Sequence, residues 1–209
     1  MKKMVFILTG IFLAMNSLHC QNAANGYRIV QKFNLPGDGG WDYLIADDAS
    51  NMLYVSHGNM VNVVDLKTGK SVATITDVNG VHGIAVAGEL SKGFISNGAG
   101  NNVTVFDTRD FKVIEKVPVT GVNPDAILYE PYTKTIITCN GRSSNATVID
   151  SKTNKVIQTI NLAGKPEAAV SDGKGKVFVN IEDKSVVSVI DVKTWKVEQS
   201  WSISPGEGP

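Results

Sequence analysis

Cysteine is nearly absent from this sequence of 209 residues, which contains only Cys20 and Cys139. Cys20 belongs to an N-terminal segment discussed below, so Cys139 is the single thiol expected in the mature chain. A lone thiol excludes an intrachain disulfide, a cysteine-based zinc site and a redox pair. Cys139 itself ends the apolar run 135–139, which predicts a small buried side chain and not a nucleophile.

An excess of charge of either sign is also missing. The 20 Lys+Arg residues balance the 20 Asp+Glu residues, so the formal net charge is zero, and no basic block occurs. Proteins that neutralise many phosphates or bind anionic membranes normally carry a basic excess, and no nucleic-acid partner is therefore expected. The motifs of a nucleophile elbow, a zinc protease, a phosphate-binding loop and a covalently attached haem are absent too. We therefore predict no cofactor from motifs.

Long apolar runs are confined to the start of the chain. A short basic segment precedes an apolar stretch, 4–15, which has the length of a signal-peptide core and is too short to cross a bilayer. This pattern predicts a secretory signal over residues 1–22, a periplasmic or secreted protein, and no transmembrane segment in the mature chain. Residues 17–20 resemble the end of a lipoprotein signal, with His19 where a small residue is expected. Lipidation at Cys20 is therefore the minority alternative to ordinary cleavage.

The residues that are abundant favour β-structure. The chain is 43% hydrophobic and 19% charged, which is outside the range of disordered sequences. Its apolar positions are mostly Val and Ile, which favour strands over helices, and its 20 glycines suit tight turns. We therefore predict an all-β fold with little or no helix.

An internal repeat organises the chain. Four seven-residue segments with Asp at the second position and Lys at the seventh superpose without a gap, and their aspartates lie 42, 43 and 41 residues apart. Each segment separates two alternating strands, so its Asp is predicted to cap a hairpin turn and not to take part in catalysis. The four aspartates are Asp65, Asp107, Asp150 and Asp191.

Each repeat also contains two further strands before this hairpin. Four short strands in about 42 residues is the size of one β-propeller blade. Residues 27–36 align with the fourth strand of every later repeat, and they are predicted to be an orphan outer strand of the closing blade. The intact protein is then expected to have further C-terminal blades. The four complete blades are predicted at residues 41–80, 81–121, 122–164 and 165–205.

The strand Phe94-Ile95-Ser96-Asn97, followed by a hairpin of the form Val-Ile-Asp-x-Lys-Thr, resembles the YVTN-repeat β-propeller family. The resemblance covers residues 28–209. It departs from the family pattern at His57, which stands in place of Asn, and at Ile136, which stands in place of the aromatic residue. It implies a secreted or periplasmic propeller of about seven blades, related in architecture to the propellers of quinoprotein amine dehydrogenases and nitrous oxide reductase.

Strand order in such a blade indicates one functional face. The loop that enters the innermost strand and the loop between the second and third strands emerge on the same side, near the central channel, and they differ from blade to blade. Polar side chains on these loops form a candidate ligand-binding rim. The rim residues are Asp42, His57, His82, Asn97, Asp125, Asn140, Arg142 and Glu167.

Two interpretations of the rim remain open. Asp42, His57 and His82 could together bind a divalent metal, since imidazole and carboxylate are good ligands. The carboxylates that begin inner strands, Asp42, Asp125 and Glu167, could instead only accept backbone hydrogen bonds.

The function predicted from the sequence is that of a binding or scaffold protein, which uses this face for a small molecule or a protein partner. The alternative is an enzyme of the lactonase or quinoprotein-associated type, with a His/carboxylate site at the channel mouth. Fold alone does not choose between these two functions.

Overall fold

The structure, a computed structural model, describes residues 27–206. The chain divides after Lys32 into a short N-terminal unit and a unit from Phe33 onward that contains every strand named below. The predicted signal peptide, residues 1–22, and Cys20 within it lie outside the described residues.

Four separate antiparallel sheets follow one another along the second unit, and in each sheet four consecutive strands pair in sequence order. Each sheet is therefore one propeller blade, and the all-β prediction is confirmed. Two three-residue 3-10 turns, Gly88–Leu90 and Glu182–Lys184, are the only helical segments within residues 27–206. The strands are β1 Trp41–Asp47, β2 Met52–His57, β3 Met60–Asp65, β4 Lys70–Ile75, β5 Val81–Ala87, β6 Lys92–Asn97, β7 Asn102–Asp107, β8 Val113–Pro118, β9 Pro124–Glu130, β10 Thr135–Asn140, β11 Asn145–Asp150, β12 Lys155–Asn161, β13 Pro166–Ser171, β14 Lys176–Ile181, β15 Val186–Asp191 and β16 Lys196–Ser202.

Residues 27–36, expected to form the outer strand of a closing blade, belong to no strand in the structure. A strand requires the backbone donors and acceptors of a neighbouring strand, and the three strands expected to complete that blade are not among the described residues. The role of 27–36 in ring closure therefore stays a prediction, as does the count of seven blades.

The hairpin between the third and fourth strands repeats one hydrogen-bond pattern in every blade. Asp65 and Asp150 accept the backbone N–H of the threonine three residues later at 2.7 Å. In all four hairpins the residue four positions after the Asp has positive φ and donates its N–H to the Asp carbonyl. The aspartates are therefore turn residues, as the repeat predicts. The four residues with positive φ are Gly69, Phe111, Asn154 and Trp195.

The core lies in three layers between neighbouring blades. Phe106 packs between the first and second blades, Phe94 between the second and third, and Ile190 between the third and fourth. Cys139 is fully buried in the last of these layers, and burial raises the pKa of its thiol to about 12. The prediction that Cys139 is buried is confirmed.

Strand pairing corrects the alignment of the repeats by one residue. The second strand of each blade begins opposite the hairpin Asp, and this places Ile137, and not Ile136, at the position of the aromatic Tyr54 and Phe94. The residue that closes the second strand is then His57, Asn97, Asn140 and Ile181 in successive blades. Because side chains alternate between the two faces of a strand, this one-residue shift exchanges the faces.

Candidate functional site at the channel mouth

The first strand of each blade lines a common central space. The neighbouring pairs β1 and β5, β5 and β9, and β9 and β13 lie against each other. A narrow cavity of about 150 Å³ is bordered by residues of all four first strands, among them Tyr43, Gly83, Ala126 and Ala168. We call this space the channel, and its mouth is the end at which the four first strands begin.

Four ionisable side chains occupy one equivalent position at the mouth. The first residue of each inner strand pairs with the last residue of the second strand, and pairing then shifts before it resumes further along the inner strand. Such irregularities redirect side chains, and here they act on the second residue of each inner strand. These residues are Asp42, His82, Asp125 and Glu167, and we call them the mouth ring.

His82 is the centre of the mouth ring. Its Nδ1 lies 2.7 Å from Asp42 Oδ2 and 3.7 Å from Asp125 Oδ1, so carboxylates from the two flanking blades approach the same nitrogen. The ligating atoms of the three residues all lie within 4.8 Å of one another. The side chain of Asp125 is the most buried, at 15% exposure, against 27% for His82 and 38% for Asp42.

Gly98, in the loop after β6, makes room for the imidazole. A Cβ at this position would lie 2.5 Å from His82 Nε2 and 2.7 Å from its Cδ2. The Nε2 edge of the ring therefore rests against the glycine backbone, while Nδ1 faces the two carboxylates. Any side chain at position 98 would displace the ring.

Glu167 completes the mouth ring from the fourth blade. Lys165 Nζ lies 3.2 Å from Glu167 Oε2 and also forms an ion pair with Glu182. These two carboxylates raise the pKa of Lys165 to about 12. The hydroxyl of Tyr43, on β1, donates to the backbone carbonyl of Glu167 at 3.3 Å, so this side chain reaches across the channel.

The mouth ring contains more acidic groups than basic ones. Burial raises the pKa of Asp125, the nearby His82 opposes that rise, and the carboxylates of Glu167 and Asp42 add to it. The pKa of Tyr43 is raised to about 12 by burial and by the same three carboxylates. A ligand that brings positive charge or hydrogen-bond donors would relieve this repulsion.

Three predicted rim residues lie in a buried polar layer at the ends of the second strands. Asn97 and Asn140 are buried, and their side-chain amides donate to Thr104 at 2.8 Å and to Thr147 at 2.9 Å. His57 is buried as well, with Nδ1 3.2 Å from the side-chain oxygen of Asn62. These contacts tie β2, β6 and β10 to the third strands of their own blades.

The structure groups Asp42 and His82 with Asp125, and not with His57 as the sequence predicts. The ring of His57 stacks on Trp41, with centroids 3.7 Å apart, and is not part of the cluster of potential ligands found among residues 27–206. Arg142 is exposed in the loop between β10 and β11, where its backbone N–H donates to the Val122 carbonyl.

Two mouth residues were missed from the sequence, Tyr43 and Lys165. Tyr43 follows Asp42 directly and Lys165 comes just before β13, so position alone could have indicated both. At the other end of the channel a larger cavity of about 720 Å³ opens. Its carboxylates, Asp47 and Asp172, accept backbone N–H groups of adjacent turns, which leaves the mouth ring as the better candidate site.

Fold and site together define a β-propeller with a polar, acidic channel mouth. The sequence matches the family model of YNCE-like β-propellers over residues 29–175, more than half of the chain. The protein belongs to the YNCE-like β-propeller family, and the resemblance to YVTN-type propellers is confirmed.

A hydrazine synthase structure from Kuenenia stuttgartiensis resembles this chain, with a TM-score of 0.75 and 18% sequence identity. The match covers 88% of this chain and 54% of that one, so the chain spans about half the length of the structure that it matches. At this identity the likeness shows the fold alone. No curated protein sequence matches the chain.

No helix within residues 27–206 is long and apolar enough to cross a membrane. The enzyme alternative, of lactonase or quinoprotein-associated type, stays a prediction.

Proposed function

We propose that the protein is an exported binding or scaffold propeller that uses the mouth ring to hold a small polar ligand. The observation that carries this proposal is the repetition of one strand position. All four blades place an ionisable side chain there, whereas the next residue of β5, β9 and β13 is only glycine or alanine. Concave sites that combine a few convergent polar groups with apolar walls are typical of ligand binding.

The chemistry of the mouth ring favours a ligand with ammonium, guanidinium or several hydroxyl groups. The ring contains three carboxylates and one imidazole, and the cation described near them, Lys165, is shared between Glu167 and Glu182. The cavity beneath the ring, about 150 Å³, accepts only a small group. The ligand would therefore place its cationic or donor group in the ring and keep the rest of its body outside the channel.

The proposal is tested by thermal-shift screening of small amines, guanidines and polyols in the presence of a metal chelator. A stabilising compound should lose most of its effect in Asp125→Asn. It should keep its effect in the control Asp77→Asn, since Asp77 is an exposed carboxylate that pairs with Lys116 at 2.8 Å. Equal shifts in the two variants would refute binding at the mouth ring.

Export is supported by the sequence pattern of residues 1–22 and by the family resemblance. Expression of the full chain in a Gram-negative host should yield a periplasmic protein whose mass shows removal of about the first 22 residues. A lipidated Cys20 would instead give a membrane-associated protein of higher mass. Recovery of the uncleaved chain from the cytoplasm would contradict export.

A further inference from the structure

We propose that the mouth ring binds one divalent first-row transition-metal ion, with Zn²⁺ as the best fit, between Asp42 Oδ2, His82 Nδ1 and Asp125 Oδ1. The inference deepens the proposed function, because it rests on the same ring and names an inorganic occupant for it. It also replaces the metal set expected from the sequence, in which His57 stood in the place of Asp125.

The geometry of the three atoms is close to that of a metal site. Zinc bonds to His nitrogen and carboxylate oxygen are about 2.0–2.2 Å long, so tetrahedral ligand atoms lie about 3.4 Å apart. The separation of 3.7 Å between His82 Nδ1 and Asp125 Oδ1 is near this value. The Asp42 oxygen is closer to the nitrogen, at 2.7 Å, but its side chain is 38% exposed and has room to withdraw when an ion enters.

Charge favours a cation over a simple ion pair. One imidazolium can neutralise only one of the two carboxylates that share it, and Glu167 adds a third carboxylate to the ring. The side chain of Asp125 is 15% exposed, and its Oδ1 lies 3.7 Å from His82 Nδ1. A carboxylate with little access to water is costly unless a cation is paired with it, and a divalent ion bound to it would remove that cost.

The ligand types select the metal. Ca²⁺ and Mg²⁺ prefer sites made only of oxygen, whereas one of the three ligands here is an imidazole nitrogen. Three protein ligands leave a fourth coordination position, which is the arrangement of zinc sites that bind water or a further ligand. Water or a hydroxyl group of a polyol ligand could then reach the ion from the exposed side, where Asp42 lies, whereas an ammonium or guanidinium group would compete with the ion for the carboxylates.

Gly98 acts as a positioning residue for this site. It lets the Nε2 edge of His82 rest on the backbone, so that Nδ1 is turned toward Asp42 and Asp125. The variant Gly98→Ala keeps all three ligands but displaces the ring. It should therefore weaken metal binding without removing a ligand atom.

The test is calorimetric titration of chelator-stripped, untagged mature protein with Zn²⁺, Mn²⁺ and Ca²⁺ in separate experiments. We expect one equivalent of Zn²⁺ to bind, and its affinity to fall at least tenfold in Asp125→Asn and in His82→Ala. A smaller loss is expected in Gly98→Ala. Circular dichroism and the melting temperature of each apo variant report whether the fold is retained.

The matched control is His57→Asn. It removes the other histidine of the described chain, and it installs the residue that the second and third blades carry at the equivalent position, Asn97 and Asn140. Its zinc affinity should equal that of the wild type. Zinc binding that depends on His57, or that survives in both Asp125→Asn and His82→Ala, would overturn the proposal. A preference for Ca²⁺ over Zn²⁺ would overturn the metal class.

The outcomes for ligand and metal can be separated, because the screen for organic ligands is carried out with chelator present. Loss of zinc binding alone would leave the organic-ligand result standing. For a variant with an altered fold, the chemical shift of His82 Nδ1 in wild-type protein decides the matter. It should change on zinc addition, and an unchanged shift at saturating zinc would refute coordination by His82.

Discussion

Gly93 and Phe106 form a cross-strand pair in which one residue has no side chain and the other has a large one. A Cβ on Gly93 would collide with the Phe106 ring, so the aromatic ring covers the glycine backbone. The equivalent pair in the first blade is Leu53 and Val64. The second blade therefore fills this space with a glycine and a large aromatic residue, whereas the first blade fills it with two aliphatic residues of intermediate size.

This pairing predicts strong coupling between the two positions. Gly93→Leu should destabilise the protein by about 1–3 kcal/mol, because it overpacks a filled site. Phe106→Val should also destabilise it, by leaving a cavity. The double variant recreates the Leu53–Val64 pair, so its loss in unfolding free energy, measured with urea, should be smaller than the sum of the two single losses. Simple additivity would show that the ring does not occupy the space above the glycine.

The hairpin aspartates make the stability of the fold depend on pH in the acid range. Hydrogen bonds from the backbone N–H and the hydroxyl of Thr153 hold the pKa of Asp150 below its ordinary value of 3.8. A carboxyl with a lower pKa in the folded state contributes stability above its unfolded pKa, and that contribution is lost as the pH falls through the folded pKa. The pKa of Asp65 is lowered by the same contacts from Thr68. The pKa of Asp107 is lowered chiefly by the side chain of Arg109, and that of Asp191 chiefly by the side chain of Lys176, with backbone N–H groups of the turn adding to both effects.

We therefore predict a stability difference between wild type and Asp150→Ala that depends on pH. At pH 7 the variant should be less stable by at most about 1 kcal/mol, because the carboxylate is only partly buried. The difference should shrink as the pH falls below about 4. Urea unfolding between pH 7 and pH 2.5 measures it, with Asp150→Asn as an uncharged control of the same shape. A difference that grows toward low pH would contradict this account.

Strand and hairpin positions could be predicted from the sequence because they depend on local chemistry. The alternation of apolar residues and the Asp-to-Lys spacing determine each hairpin without reference to distant residues. The register of β10 could not be derived in this way. The loop between the second and third strands is two residues in the first blade and four in the other three, and only backbone pairing shows which residues are equivalent.

The residues of the candidate site could be predicted from the sequence, but which of them lie in contact with one another could not. Asp42, His82 and Asp125 were all expected on one rim, because loop position follows from strand order. The choice of His57 as a metal ligand was not supported, since its orientation depends on stacking with Trp41 and on Asn62. Such contacts are formed between side chains of different strands, and a single sequence does not show them.

At the scale of the molecule, the two faces of the fourth blade differ. Val177, Val179 and Ile190 pack against the third blade. On the opposite face Phe178 contacts Trp201, with ring centroids 5.8 Å apart, and Trp201 is 43% exposed. An apolar cavity of about 250 Å³ lies beside Phe178 on that face. In propellers such a face is covered by the next blade.

We therefore predict that the 209-residue chain, expressed by itself, binds an apolar fluorescent dye and self-associates. Trp201→Lys should reduce both effects, and the exposed control Val72→Lys on the first blade should reduce them less. Dye fluorescence and light scattering measure the outcome. A monomeric protein without dye binding would show that this face is stable in water.

The mouth ring takes one residue from each blade, and this has a mechanical consequence. An occupant bound to Asp42, His82 and Asp125 acts as a clasp across two blade interfaces, because the blades cannot separate without breaking its bonds. Binding to the folded form alone would stabilise it by RT ln(1 + [L]/Kd), which is about 2.7 kcal/mol at a hundredfold excess of ligand over Kd. The packing of the blades sets the distances between Asp42, His82 and Asp125. A substitution in the core between blades, far from the mouth, would therefore also change the affinity of the mouth ring for its occupant.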